Sequence, residues 1–306
     1  MGVIVSNCRD SFWDTLKATL IILVVLGHTG TAIGDRLLSV IYMFHMPLFV
    51  FVSGYFSKKK KLSEMSDCHR LIVLFLIFNF LFFVFDVASG CEITIKRLLT
   101  PSFAMWYLLS LVFWRLLLNV IPMRIIENKK AVLLFSVLIA LLAGFFPIGQ
   151  ELSFQRTCAF LPFFVLGYYG KQVDFKSKIK SLNKPVISVL LIAIVLFAYF
   201  LLPVFYCNTP YETMWDCGMR FLQLIVALLA SSCVIGLSPN SLGRYTDLGR
   251  YTLLIYLLHP PIIKMMKLLC QVVSIEQNLL IAFLMTIITV SFIYAIRNFR
   301  FLSFLR

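Results

Sequence analysis

Residues 12–33 read FWDTLKATLIILVVLGHTGTAI. Its two charges, Asp14 and Lys17, stand near the start, and a single imidazole, His28, stands toward the end. A hydrocarbon core about 30 Å thick takes about 20 mostly apolar residues per helix, and this stretch meets that length. Its apolar part is too long for the h-region of a signal peptide, and no small-x-small cleavage site follows it. The stretch therefore reads as a first membrane span that stays in the mature chain.

The same criterion marks nine further spans along the chain, at 39–56, 70–90, 104–122, 131–147, 157–170, 185–205, 219–237, 247–270 and 278–296. Lys58 to Lys61 stop the second, Pro101 precedes the fourth, Pro122 closes it and Pro185 opens the seventh. The sixth is short and needs protein or water around one end. No connection exceeds about 15 residues, too few for a soluble domain of ordinary size. The expected fold is all-α and polytopic: a single membrane-embedded domain, 1–306, with about ten transmembrane helices and no soluble domain.

Composition agrees. The 306 residues are 60% hydrophobic and 14% charged, where soluble domains carry about 25% charge. A mean hydropathy of +0.92 excludes a soluble globular enzyme, a disordered tail and a disulfide-stapled secreted domain. The net charge of +14 points to cytoplasmic loops and anionic lipid headgroups and not to nucleic acid. With the N-terminus inside, nineteen Lys and Arg fall on the cytoplasmic side and seven outside, which predicts an N-in, C-in protein of the cytoplasmic membrane. The eight cysteines form no C-x-x-C pair, so zinc and thioredoxin-type sites find no support. Cys207 and Cys217 share one outward loop, where an oxidising exterior permits a disulfide.

Ionisable residues at membrane depth are costly and mark candidate sites. His28 is expected about 7.5 Å below the outer end of the first span, and His45 about 9 Å below the same surface on the second. The connection of about five residues makes these two helices antiparallel neighbours, so the imidazoles share a depth. Gly27 and Gly30 remove bulk around His28; alternatively its ring is a core group bonded to a carbonyl. His45 has the same bland alternative, because Pro47 frees carbonyls beside it. His259 precedes Pro260 and Pro261, which predicts a helix kinked or broken near the bilayer centre, lining a cavity or packed in the bundle. Arg115 is expected to snorkel to the cytoplasmic headgroups. Asp14 and Lys17 form an i, i+3 pair. Asp86, Arg36, Glu151, Arg156 and Arg220 read as outer-rim residues that could join His28 and His45 in a polar mouth. Trp106 and Tyr107 read as interfacial belt aromatics.

The run Asp14-Thr15-Leu16-Lys17 with Ile21 to His28, and Phe44-His45-Met46-Pro47 through Val52-Ser53-Gly54-Tyr55, resembles the acyltransferase-3 family of membrane-bound O-acyltransferases. The second motif is closest in form to the fucose 4-O-acetylase-like branch. Phe160 to Tyr168 and Leu253 to His259 are similar to later family segments, and Trp106-Tyr107-Leu108-Leu109 is a weaker match. The resemblance implies a ten-helix enzyme that moves an acyl group, usually acetyl, from cytoplasmic acyl-CoA to a carbohydrate hydroxyl. The family's essential histidine falls on His28. Its preceding basic position falls on Lys17, where an arginine is common, and Lys17 lacks the planar guanidinium fork. Ala18 also departs from a glycine-containing pattern.

On that reading His28 is the base, or itself accepts the acyl group. His45 or Arg156 orients it or stabilises charge, with Asp14, Lys17 and His259 in support. Arg9 and Lys17 stand where they could meet CoA phosphates. No metal is called for; the partners are a glycan acceptor and membrane lipids. The competing reading is a transporter or flippase for a lipid-linked sugar, although residues 1–150 and 151–306 show no convincing repeat.

Overall fold

A computed structural model describes residues 9–30, 34–60, 66–88, 90, 92–203, 207–300 and 302. Among them there is no strand, and ten helices have fourteen residues or more. These are α1 (Ser11–His28), α2 (Asp35–Phe56), α3 (Ser66–Ala88), α4 (Trp106–Val120), α5 (Lys129–Leu142), α6 (Phe154–Gln172), α7 (Lys184–Leu201), α8 (Met214–Leu237), α9 (Thr252–Val272) and α10 (Leu279–Ile296). Each corresponds to one expected span. The chain is an all-α polytopic membrane protein.

Eight of the ten are long and apolar enough to cross a bilayer. The exceptions are α5, with only fourteen residues, and α6, which carries Arg156 and Lys171. Interior position explains α6. Its longest contact is with α2, and Gly54 of α2 and Gly167 of α6 make it possible. A Cβ on Gly54 would strike the backbone carbonyl of Phe164, and one on Gly167 would strike that of Phe51. Two helices meeting backbone to backbone shield α6 from lipid, so it needs less hydropathy than its neighbours.

Burial sorts the rest. About two-thirds of the apolar window of α1 and of α2 is buried, against 17% for α3 and for α7. The latter two therefore form the lipid-facing wall, with Leu76, Phe80, Val189 and Ile192 outward. Local signals set the helix starts. Asp10 accepts the Phe12 N–H at 3.0 Å to cap α1, Thr213 and Asp216 form a capping box on α8, and Asn278 caps α10.

Several expectations are corrected. Helix α1 ends at His28, so this residue is the last of its helix and not five residues from the end; residues 31–33 lie outside the described residues. Helix α2 begins at Asp35, four residues earlier than expected. Helix α9 runs unbroken through Pro260 and Pro261. Trp106 and Tyr107 are buried and are not belt aromatics, and Arg220 is buried instead of standing on the rim. Cys207 and Cys217 are both free thiols.

Candidate active site

At the end of the bundle where α1 stops, His28 closes its last turn. The ring is half-buried, and its backbone carbonyl accepts a hydrogen bond from Lys267 of α9 at 3.1 Å. Tyr42 of α2 donates its hydroxyl to the Gly27 carbonyl at 3.0 Å, and a Cβ on Gly27 would lie 2.8 Å from that tyrosine ring. Glycine at 27 is thus what lets α2 reach the end of α1. Tyr42 also stacks on His45 with ring centroids 5.2 Å apart.

His28, His45 and Arg156 line one cavity of about 100 Å³, together with Trp106, Tyr256 and Asn208. The expected pairing of His28 with His45 is therefore met through a shared cavity. His259 joins from α9, fully buried, its ring centroid 5.0 Å from that of His28.

Two of the three imidazoles have their tautomer assigned by geometry. His45 Nδ1 lies 2.7 Å from the Ile41 carbonyl and His259 Nδ1 lies 3.0 Å from that of Ile255. A carbonyl only accepts, so each Nδ1 carries its proton and each Nε2 is left as a lone-pair acceptor. The Nε2 of His259 is buried and meets no hydrogen-bond partner. The Asn208 Oδ1 on the cavity wall is also buried and unpartnered.

Arg156 enters from the first turn of α6, its guanidinium 5.2 Å from the Trp106 ring. No carboxylate pairs with it among the described residues. The turn that aims it is strained: Leu152 and Ser153 both have left-handed backbone, with φ of 47° and 61°. Tyr256 donates its hydroxyl to the Ala104 carbonyl, tying α9 to the segment before α4. Cys207 faces the cavity too, but burial pushes its thiol pKa up, which keeps it protonated and a poor nucleophile.

The remaining expected residues lie elsewhere. Asp14 is fourteen residues before His28 on α1, about 21 Å along the axis. It is buried and accepts from Arg9 at 2.5 Å and from Lys17 at 2.8 Å, with Arg250 at 4.0 Å. The hydrogen bond to Asp14 raises the Arg9 pKa. Gly249 packs against the Asp14 carbonyl, and Thr15 bonds Thr246 at 2.8 Å, so this cluster docks residues 243–250 onto α1. Around the same end, Lys58, Lys60, Arg115 and Asn119 line a polar pocket of about 270 Å³. The sequence showed these residues only as a stop signal and a snorkelling cation.

Residues 10–298 match the profile of the acyltransferase-3 family, which is described as an acyltransferase domain. The chain belongs to that family. Nodulation protein NolL of Sinorhizobium fredii (strain NBRC 101917 / NGR234) is 46% identical over 59 residues. The match spans 16% of this chain and 16% of that relative. No solved structure matches the chain. The cavity thus brings together a helix-terminal imidazole, His28, and a guanidinium, Arg156, that has no carboxylate partner among the described residues.

Proposed function

We propose that the protein is a membrane O-acyltransferase that moves an acyl group, acetyl by preference, from cytoplasmic acyl-CoA to a hydroxyl of a carbohydrate or glycan precursor. The observation that carries this reading is the shared cavity of His28 and Arg156, with a buried imidazole, His259, beside the first. On this reading 1–306 works as one membrane-embedded unit in the cytoplasmic membrane, with both ends of the helix bundle's chain inside. The distribution of Lys and Arg supports that orientation, which makes the His28 end the outer end.

His28 takes the proton from the acceptor hydroxyl as its oxygen attacks the thioester carbonyl. The new C–O bond places negative charge on the former carbonyl oxygen, where the Arg156 guanidinium, 5.2 Å from the centre of the Trp106 ring, stabilises it. The C–S bond then breaks, and the departing thiolate recovers the proton from His28. His259 acts through its free Nε2, which can hold the His28 ring in one orientation.

The donor approaches from the opposite end. Lys58 and Arg115 suit its phosphates, Lys60 being paired with Asp67 of the same pocket at 2.6 Å, and Arg9 and Lys17 add one positive charge beyond what Asp14 cancels. Between that pocket and the cavity, Ser53 of α2 and Tyr107 of α4 bond hydroxyl to hydroxyl at 2.5 Å, and the acyl-bearing arm would have to part this pair to reach His28.

The test is transfer of label from radiolabelled acetyl-CoA to candidate glycans by purified protein in nanodiscs. Wild-type protein labels a glycan, and folded His28→Ala protein does not. Equal labelling by both, or glycan movement across the membrane without labelling, overturns the assignment.

A further inference from the structure

A second concavity, of about 570 Å³, opens beside the cavity at the same end, between the end of α7 and the start of α8. Tyr211, Glu212, Trp215, Asp216, Arg220 and Gln223 line it. The two hollows share a wall. Cys207 and Asn208 face the cavity, and the next three residues, Thr209, Pro210 and Tyr211, face the second hollow.

That wall is rigid. The Tyr211 N–H donates to the Gly144 carbonyl at 2.7 Å and its hydroxyl to the Leu141 carbonyl at 2.9 Å. A Cβ on Gly144 would collide with the tyrosine ring, so glycine there seats it. Burial raises the Tyr211 pKa to about 12, and the phenol stays a neutral donor. The Tyr211 wall of the hollow is thus preformed, which lowers the ordering cost when a ligand enters.

Its chemistry is selective. Trp215 is 74% exposed and borders polar groups on the hollow side. Arg220 lines the hollow while its guanidinium donates to Gln155 Oε1 and the Ala140 carbonyl, both at 3.3 Å, and to the Thr209 carbonyl at 3.5 Å, beside the Tyr211 ring. Asp216 spends one oxygen on the N–H groups of Glu212 and Thr213, and the Glu212 carboxylate has no ion-pair partner among the described residues. The lining thus carries two carboxylates, Glu212 and Asp216, against one guanidinium, and its formal charge is net negative. An indole face attracts the slightly positive C–H face of a sugar ring, and carboxylate and amide oxygens accept from its hydroxyls. Phosphates, sulfates and uronates are repelled.

We infer that this hollow is a sugar-binding subsite for a neutral or amino sugar one unit removed from the acylated one. The acceptor is then a glycan of at least two units. Its reacting sugar lies in the cavity, where the unpartnered Asn208 Oδ1 can accept from a hydroxyl. The inference rests on the proposed acyltransferase reading for the role of the cavity, and on the hollow alone for binding.

The experiment uses full-length protein in nanodiscs on an array of neutral, amino-sugar and anionic glycans of one to six units. Wild-type protein is expected to retain neutral or amino-sugar glycans of two or more units. Trp215→Ala should weaken retention about tenfold, and Glu212→Gln should weaken amino-sugar glycans selectively. No retained glycan, retention of anionic glycans alone, or retention unchanged in Trp215→Ala overturns the subsite. Label transfer to glycan without array binding sinks the subsite and leaves the enzyme; Trp215-dependent binding without any label transfer does the reverse.

Discussion

The two ends of α1 hold buried ionisable groups in opposite conditions. In the cluster at the Asp14 end no buried side-chain polar atom among the described residues lacks a partner: one carboxylate takes Arg9 and Lys17 and borders Arg250. At the His28 end the accounts stay open. His259 Nε2 and Asn208 Oδ1 are buried without partners, and Arg156 faces a ring instead of a carboxylate. Buried polar groups are nearly always satisfied in a folded protein. A saturated cluster holds chain to chain, whereas an unsaturated one, placed around a cavity, is suited to a ligand. On the proposed reading, one end fastens the fold beside the donor's entry and the other carries the chemistry.

That contrast can be broken by mutation. The largest effect is expected from His28→Ala, which should lower acyl transfer by about 10²–10⁴-fold, with the melting temperature in detergent held; a parallel loss of stability would make His28 a fastening residue after all. Arg156→Ala should cost about 10²–10³-fold in transfer, and Arg156→Lys should restore only part of it, because a lysine keeps the charge and loses the plane. Asp14→Ala should do the opposite. It strands Lys17 in a mostly buried position and should destabilise the protein by about 3 kcal/mol, read by chemical unfolding, while transfer per folded molecule is kept. Loss of transfer without loss of stability in that variant would bring the Asp14 end into the chemistry. Gly54→Ala should destabilise by about 1–3 kcal/mol through the α2–α6 contact. The smallest change, about 1 kcal/mol, is expected of Tyr211→Phe, which deletes one hydroxyl bond to Leu141.

Much of this was legible in the sequence. Apolar length gave all ten helices, and a short connection put His28 and His45 side by side. Arg156 emerged as one candidate among several rim charges. What pattern could not supply was depth and company. His259 lies 231 residues beyond His28, and the two prolines after it argued for a kinked or broken helix, whereas α9 runs as one continuous helix through both. Trp106 read as a belt aromatic because aromatics near a span end usually are; only the packed α4–α6 interface shows its ring under Arg156. Arg220 looked solvated because nothing local announces Gln155, 65 residues away, as its partner. One usable signal was missed: Tyr42 is three residues before His45, hence on the same helix face.

The glycine crossing of α2 and α6 has a mechanical consequence. Both helices deliver side chains to the cavity, His45 from one and Arg156 from the other, and their glycine-permitted backbone contacts, at Gly54 and Gly167, lie toward their far ends. Gly167 is eleven positions along α6 from Arg156, about 16 Å of helix. A substituent that tilted the crossing by a few degrees would carry the Arg156 end by about 1 Å, so the width of the cavity depends on two hydrogen atoms a membrane leaflet away.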